Sequence, residues 1–254
     1  MTERKHSSEL LPDAVKSIED YTSDTARDDE SKAAKVLYWI RDYIRFLRKE
    51  ATYDPKKGIA YKRGCIVKVQ FGFRIGNEFG GMHYAVVISK DNPKTSGILT
   101  VIPLISKREG RTVHWTSVDI GTEFFRKVIS KHDKLSKELE EKRSTALAEI
   151  DKTETAHRKE DGSLSAIHAD ELAKLNELIT QFEKQLKQLH ELRNEITRMK
   201  EGSVALTSQI TTISKVRIYD PQRATHSLAG IKLEPATLGI IDEKIKELFV
   251  YEKT

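Results

Sequence analysis

Two kinds of hydrophobic pattern divide this chain. Ile66, Val67, Val69 and Phe71 mark a first strand, Tyr84–Ser89 a second, Ile98–Ile105 a third and Thr112–Asp119 a fourth. The runs AVVIS and ILTVIPLI are apolar on both faces, as in strands covered on two sides. Ahead of them, Ser31–Glu50 has helical periodicity, with Val36, Ile40, Tyr43, Ile44 and Leu47 on one face, Leu37, Trp39 and Phe46 broadening it, and Ser31 as cap. A short helix is expected around Pro12–Tyr21, and Tyr53–Gly58 reads as a turn-rich linker.

Between 123 and 201 the period changes again. Val128, Leu135, Leu139, Ala146 and Ile150 approximate a heptad seam. Leu172, Leu175, Ile179, Phe182, Leu186, Leu189 and Ile196 continue one at three- and four-residue steps. With a reversal at Glu160–Ser163 around Gly162, the pattern predicts an antiparallel coiled-coil hairpin. Each arm spans about 50 Å if roughly 33 residues are helical. The seam is equally suited to pairing with a second chain. Gly202 is expected to end the second arm as a left-handed cap. Ser203–Gln209 resumes the sheet, and Ile213–Ile218 reads as a strand or a helical turn. A last helix opens at Pro235 and spaces Leu238, Ile241, Ile245 and Leu248 to cover the sheet.

The 254 residues therefore divide into a helical extension and linker (1–57), a first sheet segment (58–122), an insertion (123–201) and a second sheet segment with its helix (202–254). Charge refines this division. Residues 61–122 carry a net +5, whereas 1–60 are neutral, 123–201 carry −1 and 202–254 carry +1. Basic charge on the sheet segment suits a polyanion without specifying its sequence. The single cysteine, Cys65, cannot form an intrachain disulfide, which fits a reducing cytosol. The first ten residues lack the apolar stretch of a signal peptide, and no apolar run reaches the roughly 20 residues of a membrane span. The histidines scattered through the insertion and the lone Cys65 have no metal-ligand spacing, so neither metal nor cofactor is expected.

Four ordered motifs go further. Arg63-Gly64-Cys65-Ile66 opens the first strand; Gly76-Asn77-Glu78-Phe79-Gly80-Gly81-Met82-His83-Tyr84-Ala85-Val86-Val87 joins it to the second. Val101-Ile102-Pro103-Leu104-Ile105-Ser106 follows, and Ser203–Ile218 (SVALTSQITTISKVRI) closes the set. In this order the motifs resemble the MazF/PemK toxin family. The resemblance implies an α+β fold: a small SH3-like β-barrel with a C-terminal helix, here interrupted by the coiled-coil hairpin and preceded by an amphipathic helix. It further implies a cytoplasmic, homodimeric toxin restrained by an antitoxin protein. Such a toxin is a metal-independent endoribonuclease that cleaves single-stranded RNA through attack by the ribose 2′-hydroxyl.

This chain departs from the family pattern where the chemistry is expected. An arginine position holds His83, a threonine position holds Ile105, and an acidic position before Gln209 holds Ser208. Imidazole titrates near neutrality, so His83 is the candidate general base or acid. Ser106 is the candidate replacement hydroxyl if a bulge turns it onto the same face. Arg74, Lys107, Arg108 and Arg111 are candidates for binding phosphate, Glu78 for a place in the RNA loop, and His114 with Trp115 for stacking an unpaired base. Two other readings stay open. One is a catalytically degenerate module that binds RNA or protein through the coiled coil; the other is a toxin whose own Ser31–Glu50 helix covers the groove.

Overall fold

The computed structural model describes residues 7–158 and 169–251. In chain order these form α1 (Ser7–Asp28), α2 (Glu30–Glu50), β1 (Ile66–Gln70), β2 (Met82–Val87), β3 (Ile98–Ser106) and β4 (Val118–Gly121). Then come α3 (Glu123–His157), α4 (Ala169–Arg198), β5 (Ser203–Ala205), β6 (Thr211–Ser214), β7 (Ile218–Asp220) and α5 (Pro235–Phe249). The class is α+β. The reversal expected at Glu160–Ser163 lies outside the described residues.

All strand pairs are antiparallel, in the order β4-β5-β3-β2-β1-β7, with β6 also paired to β3. Among the described residues the edges β4 and β7 do not meet, so the sheet is open rather than the closed barrel expected. β2 runs along one edge of β3, while β5 and β6 share the other. The handover falls at Pro103, whose carbonyl accepts the Leu206 N–H at 2.9 Å but which has no N–H to return. Segment 213–218 resolves into the end of β6, a 3₁₀ turn over Lys215–Arg217 and the start of β7.

Strand alternation separates two cores. Ile66, Val86, Ile102 and Leu104 face one, joined by Phe124 and Val128 of α3, Leu192 of α4 and Ile241 of α5. Val67, Val69, Ala85, Val87, Leu99 and Val101 face the other, closed by Ile213 and Ile218. This double burial explains the continuous apolar runs of β2 and β3. The base of the insertion is thus part of the sheet's own core. Farther out, α3 and α4 run against each other in opposite directions, and His157 meets Glu171 at 2.8 Å near their far ends. There the seam is open: Leu147, Ile150, Leu172 and Ile179 are exposed.

Several local expectations are corrected. α1 is longer than Pro12–Tyr21 because it packs against α2, and tertiary packing extends a helix beyond its intrinsic propensity. Asp29, not Ser31, caps α2, its carboxylate accepting the Lys32 N–H at 2.9 Å. The face of α2 that docks carries Trp39, Asp42 and Phe46, while Tyr43, Ile44 and Leu47 are exposed. Asp42 decides this orientation by accepting hydrogen bonds from Gln70 (3.3 Å) and Tyr219 (3.4 Å). β4 begins at Val118 rather than Thr112, since its partner β5 is only three residues long. α4 ends at Arg198, with the Met199 N–H returned to Glu195 and Ile196. Gly202 is not the left-handed cap. It lets the chain pass Lys107, whose Cβ would stand 2.9 Å from a Cβ at that position.

Candidate active site

The loop between β1 and β2 is closed at its neck by paired hydrogen bonds. Phe71 N–H donates to Gly81 (2.8 Å) and Gly81 N–H donates to Gly72 (2.7 Å). Inside it, the Arg74 Nε donates to the Phe71 carbonyl at 3.0 Å, and its guanidinium lies 3.6 Å from Glu78. Phe79 packs edge-on to Phe71 and tilts over His83, with ring centroids 4.5 Å apart. The Gln209 side chain accepts the Phe79 N–H at 3.4 Å, tying the loop to the segment after β5.

A cleft of about 920 Å³ opens between this loop and the N-terminal helices. Its helical wall presents Tyr21, Lys32, Lys35, Tyr38 and Trp39, and its loop wall ends at Met82 and His83. Aromatic faces beside cations are the combination that holds unpaired bases and their backbone. α2 therefore walls the cleft and does not fill it.

His83 is partly buried, and burial pulls its imidazole below the ordinary histidine range, leaving it neutral at pH 7. It has no side-chain hydrogen bond among the described residues, so its proton-accepting capacity is unused. Tyr84 pairs with Leu104 and Ala85 with Pro103, so alternation puts His83 on the face of Ala85 and Pro103. Between Leu104 and Ser106, β3 pairs regularly with β5 and contains no bulge. Ser106 therefore alternates to the face opposite His83.

A second cleft, of about 240 Å³, shares Met82 and His83 with the first and is also lined by Ser106. Lys68, Arg198 and Lys200 border it. Beside it, the buried Glu195 of α4 accepts from Lys68 at 2.5 Å and from the Tyr84 hydroxyl. Burial first, and the bond to Glu195 second, push the Tyr84 phenol above its usual range, so it remains a donor.

The remaining candidates lie elsewhere and line neither cleft. Lys107 is paired with Asp119 at 2.6 Å, which holds that carboxyl below its usual range. Arg108 and Arg111 flank an exposed turn. His114 sits in a loop, its Nδ1 2.8 Å from the Thr116 hydroxyl, with Trp115 exposed beside it. The sequence reading missed Lys68, Tyr38, Arg198 and Lys200 as site residues. Lys68 had a signal, a cation at an inward step of an apolar strand; Arg198 had none, being one of many charges on a long helix. Among the described residues no group of three or more His, Cys, Asp and Glu side chains is arranged to hold a metal ion.

Fold and site together define an α+β domain in which an aromatic-walled cleft of mixed charge and a smaller cationic one share a neutral histidine in their walls. Residues 62–182 match the family of PemK-like, MazF-like toxins of type II toxin-antitoxin systems, and the chain carries a domain of that family. The match takes in β1–β4, α3 and part of α4; β5–β7 and α5 lie beyond it yet complete the same sheet. No curated protein matches the chain. Members of the family are endoribonucleases, so the domain implies an RNA substrate and an antitoxin partner. No described helix is long and apolar enough to cross a membrane.

Proposed function

We propose that this chain is a toxin that cleaves single-stranded RNA without a metal ion, using His83 as general base. The carrying observation is the position of His83, neutral and without a hydrogen-bond partner, in the wall common to both clefts. Bases stack along Tyr38 and Trp39 in the larger cleft, and the backbone passes His83 into the smaller, cationic one. The imidazole takes the proton of a ribose 2′-hydroxyl as that oxygen bonds to the adjacent phosphorus. The bond from phosphorus to the 5′-oxygen breaks, water protonates that oxygen, and a cyclic phosphate and a 5′-hydroxyl result. Ser106 faces away from His83 and suits a phosphate contact in the smaller cleft better than proton transfer. Arg74 and Glu78 shape the loop, while Lys107, Arg108, Arg111 and His114 lie outside both clefts and are at most peripheral to RNA binding.

The exposed apolar seam of α3 and α4 supports a second reading, in which the hairpin pairs with another chain, either an antitoxin or a second copy. Incubation of a mixed-sequence RNA pool with wild type and His83→Ala tests the nuclease reading. Cleavage by wild type alone supports the nuclease. Binding without cleavage, even after residues 1–57 are removed, leaves the degenerate binding module.

A further inference from the structure

We infer that the helical insertion completes the RNA-binding surface, with Arg198 at the end of α4 holding a backbone phosphate in the smaller cleft, next to the one on which His83 acts, and Lys200 adding charge beside it. This rests on the nuclease reading of the same site and names the group that binds the neighbouring phosphate.

Three cations and no carboxylate line the smaller cleft among the described residues. They are not equivalent. Lys68 is committed to Glu195. Arg198 and Lys200 make no side-chain hydrogen bond or ion pair among the described residues. Other basic side chains of the sheet are occupied: Arg63 by Asp242, Arg74 by Phe71 and Glu78, Lys107 by Asp119, Arg217 by the Gln70 carbonyl. The His83 ring turns to the other face of β2, against Phe79, so the cations of this cleft meet the phosphate beside the reacting one. A phosphodiester carries a negative charge that a guanidinium fork meets with two parallel donors.

The approach of Arg198 is built rather than incidental. Glu195, one helical turn earlier, is buried and anchored by Lys68 of β1 and Tyr84 of β2. Ile196 and Met199 pack against the core on either side of Arg198. The last turn of α4 is therefore fixed against the strand that carries His83. Ser106 and Ser203, paired across β3 and β5, line the same cleft with hydroxyls.

The alternative is that Arg198 merely complements the negative end of the helix dipole. The test uses full-length wild type, Arg198→Ala, Arg198→Lys and Lys200→Ala. Each is measured for binding of a short fluorescein-labelled 2′-O-methyl RNA, which cannot react, for cleavage of the unmodified RNA, and for melting temperature. Arg198→Ala is expected to weaken 2′-O-methyl RNA binding by about tenfold or more and to reduce the salt slope by about 0.7. Cleavage at subsaturating RNA should fall in parallel, with Arg198→Lys partly restoring both. Lys200→Ala should lose less, and all melting temperatures should stay near wild type. Wild-type binding by Arg198→Ala, or equal loss in Arg198→Ala and Arg198→Lys tracking a lowered melting temperature, overturns the inference. Arg198-dependent binding with no wild-type cleavage leaves the phosphate site standing and removes the nuclease reading. Cleavage that ignores both Arg198 and Lys200 does the reverse.

Discussion

Trp39 lies against the bare Cα of Gly72: a Cβ there would stand 2.8 Å from the indole ring. Gly72 also has φ +91, a conformation that costs any other residue energy. This contact, with the Arg217 guanidinium 5.4 Å from the centroid of the ring, seats α2 along the larger cleft. Gly72→Ala is expected to lose about 1–3 kcal/mol from strain and overpacking. It should also red-shift Trp39 fluorescence, measured in a Trp115→Phe background, as α2 lifts from the loop.

Tyr84 and Glu195 make a second cross-element tie. Tyr84→Phe strips a donor from a buried carboxylate and should cost about 1–3 kcal/mol in urea unfolding. The phenol is harder to ionise folded than unfolded. Its contribution is thus complete below the unfolded value of about 10 and is lost as pH rises toward the folded value. Wild type should weaken above that pH, and Tyr84→Phe should flatten the decline. Buried Tyr61, with Tyr53 and Cys65, is shifted the same way and contributes to the remaining slope.

His83 has the opposite dependence. Burial makes its imidazole harder to protonate folded than unfolded. Stability from the neutral ring is complete above about pH 6.5 and falls as pH drops through the lower folded value. Unfolding midpoints of wild type minus His83→Gln, taken through that range, should show this slope despite seven other histidines. The acid limb of RNA cleavage should sit below about pH 6.5 for the same reason.

The insertion should prove divisible. Phe124→Ala or Leu192→Ala removes a fully buried side chain where α3 and α4 meet the sheet, an expected loss of about 3–5 kcal/mol. Replacing residues 142–184 by a short glycine-rich turn removes residues that are mostly exposed where described and should leave the thermal transition of the sheet cooperative. Unfolding of that shortened protein would show that the far arms support the core.

Much of this was legible locally. Strands β1–β3 and the helical insertion follow from short-range periodicity, and Pro235 marks the start of α5. Misreadings arose where a distant partner decided the outcome. Asp42 turns α2 so that Phe46 docks and Leu47 does not. Near its base, α4 leaves α3 for the sheet, so Leu192 and Glu195 are buried off the heptad seam through Leu189 and Ile196. Ser106 required the uninterrupted register of β3 before its face was known.

By itself, then, the sequence determined the elements, the two-sided burial of the central strands and the family motifs, because alternation and heptad spacing act between residues close in the chain. Tertiary structure alone decided which cations line the cleft beside His83. Arg198 follows it by more than a hundred residues, and only the anchoring of Glu195 by Lys68 and Tyr84 brings that last turn of α4 to the cleft. No local pattern encodes such a contact, since its energy exists only once the sheet and the insertion have packed together.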